Sequence, residues 1–106
     1  MTTITIKVPR HPGRTLRILV RDPAWVAKGV DLGREYEAAA WFQASRPGAK
    51  SIGRIALSKV DLDLVAHECC HAAWHLAGAD ADEERVCLLT GELTAKVWAR
   101  LQKEQA

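Results

Sequence analysis

His67, Glu68 and His71 stand in the run His-Glu-Cys-Cys-His, and that spacing carries chemistry if the segment is helical. Residues four apart on a helix project from one face, about a turn from each other. Two imidazole nitrogens so placed can reach one zinc ion at roughly 2.0–2.1 Å. Glu68 follows the first histidine directly, so it is displaced around the helix and is not expected to be a ligand. It reaches a water on the metal instead, as the general base that activates it. The metal lowers the pKa of that water towards neutrality, and Glu68 hands the proton on to a leaving group. The plain alternative is two histidines flanking a solvated glutamate.

A catalytic zinc takes three protein ligands and keeps a fourth position open. His75 continues the four-residue series, but eight residues of helix advance about 12 Å, too far for His67 and His75 to share one ion. Cys69 and Cys70 point away from the His67/His71 face. The remaining candidates are Asp80, Asp82, Glu83 and Glu84, just downstream. A second helix packed across the first can deliver one carboxylate from its first turn. Glu84 is the expected third ligand and Glu83 the alternative. Gly91 lies on a neighbouring stripe and is expected to let the two helices approach closely; its plain reading is a tolerated helix glycine costing about 1 kcal/mol.

These residues need elements to hold them. Leu62, Val65, Ala66, Cys69, Ala73, Leu76 and Ala77 recur at three- and four-residue steps, which predicts an amphipathic helix over 61–77. Asp61 or Asp63 opens it and Gly78 closes it. After a short polar connection, Val86, Leu89, Leu93, Val97 and Leu101 form the seam of a second helix over 82–103. Its acidic start suits the positive end of the helix dipole. Upstream, residues 3–8 and 15–20 alternate with period two and flank a Pro- and Gly-containing turn, so they read as a hairpin. Asp22-Pro23 caps a short helix ended by Gly29. Residues 35–44 have helix-forming composition, yet the turn at 45–50 and the strand at 52–58 favour a second hairpin, with strands near 36–44 and 52–58. The expected class is α+β: one domain over 1–106, with a small antiparallel sheet packed on the metal-bearing helix and a second long helix beside it.

His67-Glu68-Cys69-Cys70-His71-Ala72-Ala73, followed by Asp82-Glu83-Glu84-Arg85-Val86-Cys87-Leu88-Leu89-Thr90-Gly91, resembles the small zincin-like metallopeptidases of bacteriophages and prophages, minimal members of the gluzincin group. The resemblance spans roughly residues 36–100. It implies a zinc-dependent peptidase whose third ligand is a glutamate on the second helix with a small residue three positions on. Glu84 with Cys87 fits that better than Glu83 with Val86. It also implies a peptide or protein substrate held extended along a sheet edge, and cytoplasmic work in a bacterial host cell. No side chain beyond the motif presents itself as an oxyanion stabiliser, although Tyr36, His75 or an arginine could serve. The rival reading is a non-catalytic zinc module that binds a protein or nucleic acid.

Composition bounds the rest. A hydrophobic share of 48% with 26% charged residues is that of a globular domain, and no apolar run approaches the length of a membrane span. The N-terminus lacks the apolar core and cleavage site of a secretory signal. Cys69, Cys70 and Cys87 are an odd set with two adjacent members, which reads as reduced, buried thiols in a cytosolic compartment. Residues 1–59 carry eleven Lys/Arg against four Asp/Glu, whereas 60–106 carry four against nine. The basic half is expected to be a row of solvated strand charges such as Lys7, Arg17 and Arg54, with contact to nucleic acid or an acidic partner the alternative. Trp25, Trp41, Trp74 and Trp98 are expected to be packing anchors. His11 lies in a loop and is expected to be solvated.

Overall fold

The computed structural model describes residues 1–29 and 39–105, save the side chains of Asp80 and Gln105. In chain order the elements are β1 (Thr2–Lys7), β2 (Thr15–Val20), α1 (Pro23–Lys28), β3 (Ala40–Ala44), β4 (Ser51–Leu57), α2 (Leu62–Ala77), a 3₁₀ turn (Gly78–Asp80) and α3 (Glu83–Gln105). The class is α+β, as expected. The part of the second hairpin expected over 36–38 lies outside the described residues.

Each helix has a local cause. Asp22 caps α1 through a bond from the Ala24 amide, with Pro23 preset in its first turn. Asp61 caps α2, its carboxylate accepting from the Asp63 and Leu64 amides at 2.9 and 3.4 Å. Gly78 ends α2 at φ 72°, sending its N–H back to the Trp74 carbonyl, a conformation that favours glycine. The carboxylate of Asp82 accepts from the Glu84 amide at the start of α3.

The sheet corrects one expectation. Its strand order is β1-β2-β4-β3; β1 pairs antiparallel with β2 and β3 with β4, but β2 runs parallel to β4. The sheet is mixed rather than antiparallel because β4, not β3, takes the inner place beside β2. Ile52, Ile55, Ala56 and Leu57 on β4 are all fully buried, and a strand apolar on both faces belongs inside a sheet. β3 ends in exposed Gln43 and Ala44 and takes the edge.

Two helices cover one face. α2 packs on β3 and β4, α3 on β1 and on α2, and the core between them joins Leu16, Ile18, Ile55 and Leu57 to Val65, Cys69, Leu93 and Val97. The seam expected on α3 is buried at all five positions, none more than 3% exposed. On α2 the expected apolar set holds except at Leu62, the first helical residue, which is 48% exposed. α1 lies on the opposite face. Trp41 Nε1 donates to the Val26 carbonyl of α1 at 2.8 Å, while the ring of its neighbour Phe42 lies tilted against His75 of α2 with centroids 5.9 Å apart; successive strand residues point to opposite faces.

Two glycines carry opposite expectations. Gly53 sits at φ 153°, and a Cβ there would stand 2.4 Å from the Gln43 carbonyl oxygen. It adjoins a register shift between β2 and β4. Gly53→Ala is therefore expected to cost on the order of 3 kcal/mol, from backbone strain and overpacking together. Gly91 was expected to admit a close helix approach, and the structure corrects this: it is exposed and an added Cβ would meet nothing within 4 Å. Gly91→Ala is expected to stabilise by about 0.5–1 kcal/mol. Urea unfolding midpoints check both signs.

Candidate metal centre

α2 sets its residues around the helix by the 3.6-residue repeat. Val65, Cys69, Ala72 and Ala73 are buried in the core, whereas His67 and His71 are exposed on the other side. Glu68 falls between the two faces and is 4% exposed, the only charged residue buried to that degree among those described. Cap, helix and core thus hold the motif on a rigid element.

The ligand-capable atoms of His67, Glu68 and His71 all lie within 4.8 Å of one another. The two Nε2 atoms are 3.2 Å apart, and the rings meet edge to face with centroids 4.9 Å apart. Two nitrogens each about 2.05 Å from one tetrahedral ion stand about 3.3 Å apart, so the pair has the span a single metal ion needs. The same span suits one neutral ring donating to the other; holding a metal requires both Nε2 atoms to be free of protons. Burial pushes the Glu68 carboxyl above its ordinary range, against the opposing pull of His71 and His67. A buried carboxylate beside two imidazoles is suited to a nearby cation. His67, Glu68 and His71 can hold a metal ion.

Glu84 is placed differently from the other expected site residues. It is exposed in the first turn of α3 and stands outside the group that the motif draws together. The reason is axial. α3 begins just past the end of α2 at Ala77, and six residues of helix from His71 to Ala77 span about 9 Å. Glu83, the alternative, shares that position and exposure. His75 is also apart, its ring against Phe42, as the helix rise requires. Tyr36 and the side chain of Asp80 fall outside the described residues.

The remaining singled-out groups are only partly as expected. Cys69 is fully buried, and burial pushes its thiol up to about 12; Cys70 is half-buried, but Cys87 is exposed. Trp41 and Trp98 are packed, whereas Trp25 and Trp74 are 40% and 48% exposed, so two of the four expected anchors stand at the surface. His11 is half-buried, its Nδ1 2.9 Å from the Pro9 carbonyl. No described helix is long and apolar enough to cross a membrane. Comparison of the chain with protein-family models, curated proteins and solved structures gave no match.

Proposed function

We propose that this chain is a zinc-dependent peptidase of the minimal zincin type, hydrolysing peptide bonds with Glu68 as general base. The observation that carries the proposal is the pairing of two exposed imidazole nitrogens 3.2 Å apart with a buried carboxylate beside them. His67 and His71 are the residues that would hold the ion. When bound, zinc supplies Lewis acidity and brings the pKa of water towards neutrality.

Glu68 accepts the proton of the attacking water and returns it to the departing amine. In the metal-free chain its burial raises its basicity, which suits it to the first transfer. β3 is an edge strand of the described sheet and, unlike β1 at the other edge, packs against α2, so an extended peptide pairing with that edge would run alongside the motif. For the third ligand we retain Glu84, in the first turn of α3, as the candidate. Metal analysis of Glu84→Ala decides this: lost zinc assigns Glu84, and retained zinc places the third ligand elsewhere.

The experiment is incubation of zinc-loaded wild type and Glu68→Gln with a mixed peptide library, read by mass spectrometry of the products. Cleavage by wild type alone supports the proposal. Equal behaviour of the two proteins with zinc bound to both favours a non-catalytic zinc module.

A further inference from the structure

The sheet has a second face, away from α2 and α3, and its chemistry is unlike that of the rest of the molecule. Strand alternation sends Ile4, Ile6, Leu16, Ile18, Phe42 and Ile55 towards the helices. Thr5, Arg17, Arg54 and Gln43 therefore point the other way. The pairing sets these four in one row across β1, β2, β4 and β3: Thr5 opposite Arg17, Arg17 beside Arg54, Arg54 opposite Gln43. Among the described elements, α1 packs over this face on β3 and β4, where Trp41 meets Val26, and Arg17 remains exposed.

One end of the row is aromatic. The Arg54 guanidinium is held 5.2 Å over the Trp41 ring, and its Nε donates to Gln43 Oε1 at 2.9 Å. Trp41 is pinned by its bond to Val26 and stacks on Trp25 with centroids 5.9 Å apart. Trp25 in turn is 40% exposed. Along the strands, away from Trp41, the face ends in a cationic region. Both hairpin loops close at the same end of the sheet, because Thr15 on β2 pairs in parallel with Ser51 on β4. There Lys7, Arg14 and Lys50 line a depression of about 390 Å³ with Thr15, Pro12 and Gly13.

The four strands and the two hairpin loops, residues 8–14 and 45–50, contain no Asp or Glu. Among the described residues, Arg14, Arg17, Lys50 and Arg54 enter no salt bridge. The charges of the described strands and hairpin loops are thus of one sign, beside an aromatic pair. An acidic protein surface would meet the charges but leave the indoles unused. A nucleic acid uses both, its phosphates meeting Arg and Lys and its unpaired bases stacking on flat rings. A broad sheet face reads splayed single strands better than it enters a duplex groove.

We propose that this open sheet face binds single-stranded nucleic acid, with a base stacked on the Trp25–Trp41 pair and phosphates on Arg54, Arg17, Arg14 and Lys50. This site is separate from the metal centre, which lies beyond the other face, so Glu68→Gln binds nucleic acid as the wild type does.

The test uses the full chain and a fluorescein-labelled 20-mer of thymidylate, read by fluorescence anisotropy. Four neutralised phosphates on a single strand give a salt slope near −3, so affinity is expected to fall about fifty-fold between 50 and 200 mM NaCl. Arg17→Glu with Arg54→Glu is expected to weaken binding at least tenfold, and Trp25→Ala about tenfold by loss of one stacked base. Circular-dichroism melting confirms that each variant is folded, and Lys103→Glu, an exposed change far along α3, controls for a charge reversal away from this face. Absence of binding by wild type at 50 mM salt overturns the proposal. So does an equal loss in Lys103→Glu, or competition by polyglutamate as effective as that by unlabelled oligonucleotide, which would assign the face to an acidic protein.

Discussion

Glu68→Gln is expected to lower peptide hydrolysis by about 10²–10⁴-fold, the usual worth of a positioned general base, while zinc remains bound. Glutamine keeps the shape of the side chain and cannot accept the proton, so the loss falls on turnover. The histidine pair is untouched, because the 3.2 Å spacing of its Nε2 atoms comes from α2 itself. The checks are single-turnover kinetics on a cleaved peptide and metal analysis of the same sample. Simultaneous loss of zinc and activity would instead make Glu68 a ligand. In metal-free protein the same change has a further consequence. Burial raises the folded-state pKa of Glu68 above its ordinary 4.5, so its ionisation favours unfolding as the pH rises through and above that value. Metal-free Glu68→Gln is therefore expected to melt at or above the wild-type temperature at pH 7, and the difference is expected to close below pH 4.5.

His67→Ala and His71→Ala are expected to abolish stabilisation by zinc while leaving the metal-free fold almost unchanged. Both side chains are exposed, and exposed substitutions usually fall within about 0.5 kcal/mol. Zinc bound to the native chain alone stabilises wild type by about 2.7 kcal/mol at one hundred times its dissociation constant. For a domain of this size that is a rise of the order of 10 °C. Thermal melts with zinc and with EDTA read the effect directly. The two single variants and the double variant should behave alike, since either imidazole alone leaves the ion with too few protein ligands.

Much of the local structure was legible because its causes are local. Alternation at 3–8 and 15–20 needs only the two strands themselves, and Asp61 and Gly78 mark the ends of α2 without reference to anything distant. The triad was legible for the same reason, since one helix sets His67, Glu68 and His71 together. What depends on packing was not legible. The inner place of β4 follows from burial on both of its faces, which Ile52, Ile55, Ala56 and Leu57 hinted at but the hairpin pattern alone did not decide. The position of Glu84 depends on how far α3 starts beyond the histidines, and a plausible first-turn carboxylate says nothing of that distance. The exposure of Trp25 and Cys87 contradicts residue-type preference because each stands on the outer side of its helix. Lys7 and Arg17 did prove solvated, as expected, whereas Arg54 is half-buried over Trp41; the gathering of Arg17 and Arg54 on one face beside two tryptophans required the register.

The most direct measurement of the metal centre is the zinc content of the full chain purified without added metal, beside His71→Ala prepared in the same way. One zinc per wild-type chain and a content near zero in the variant are the expected results. A wild-type content well below one, or equal contents in the two proteins, would contradict a metal centre at His67, Glu68 and His71.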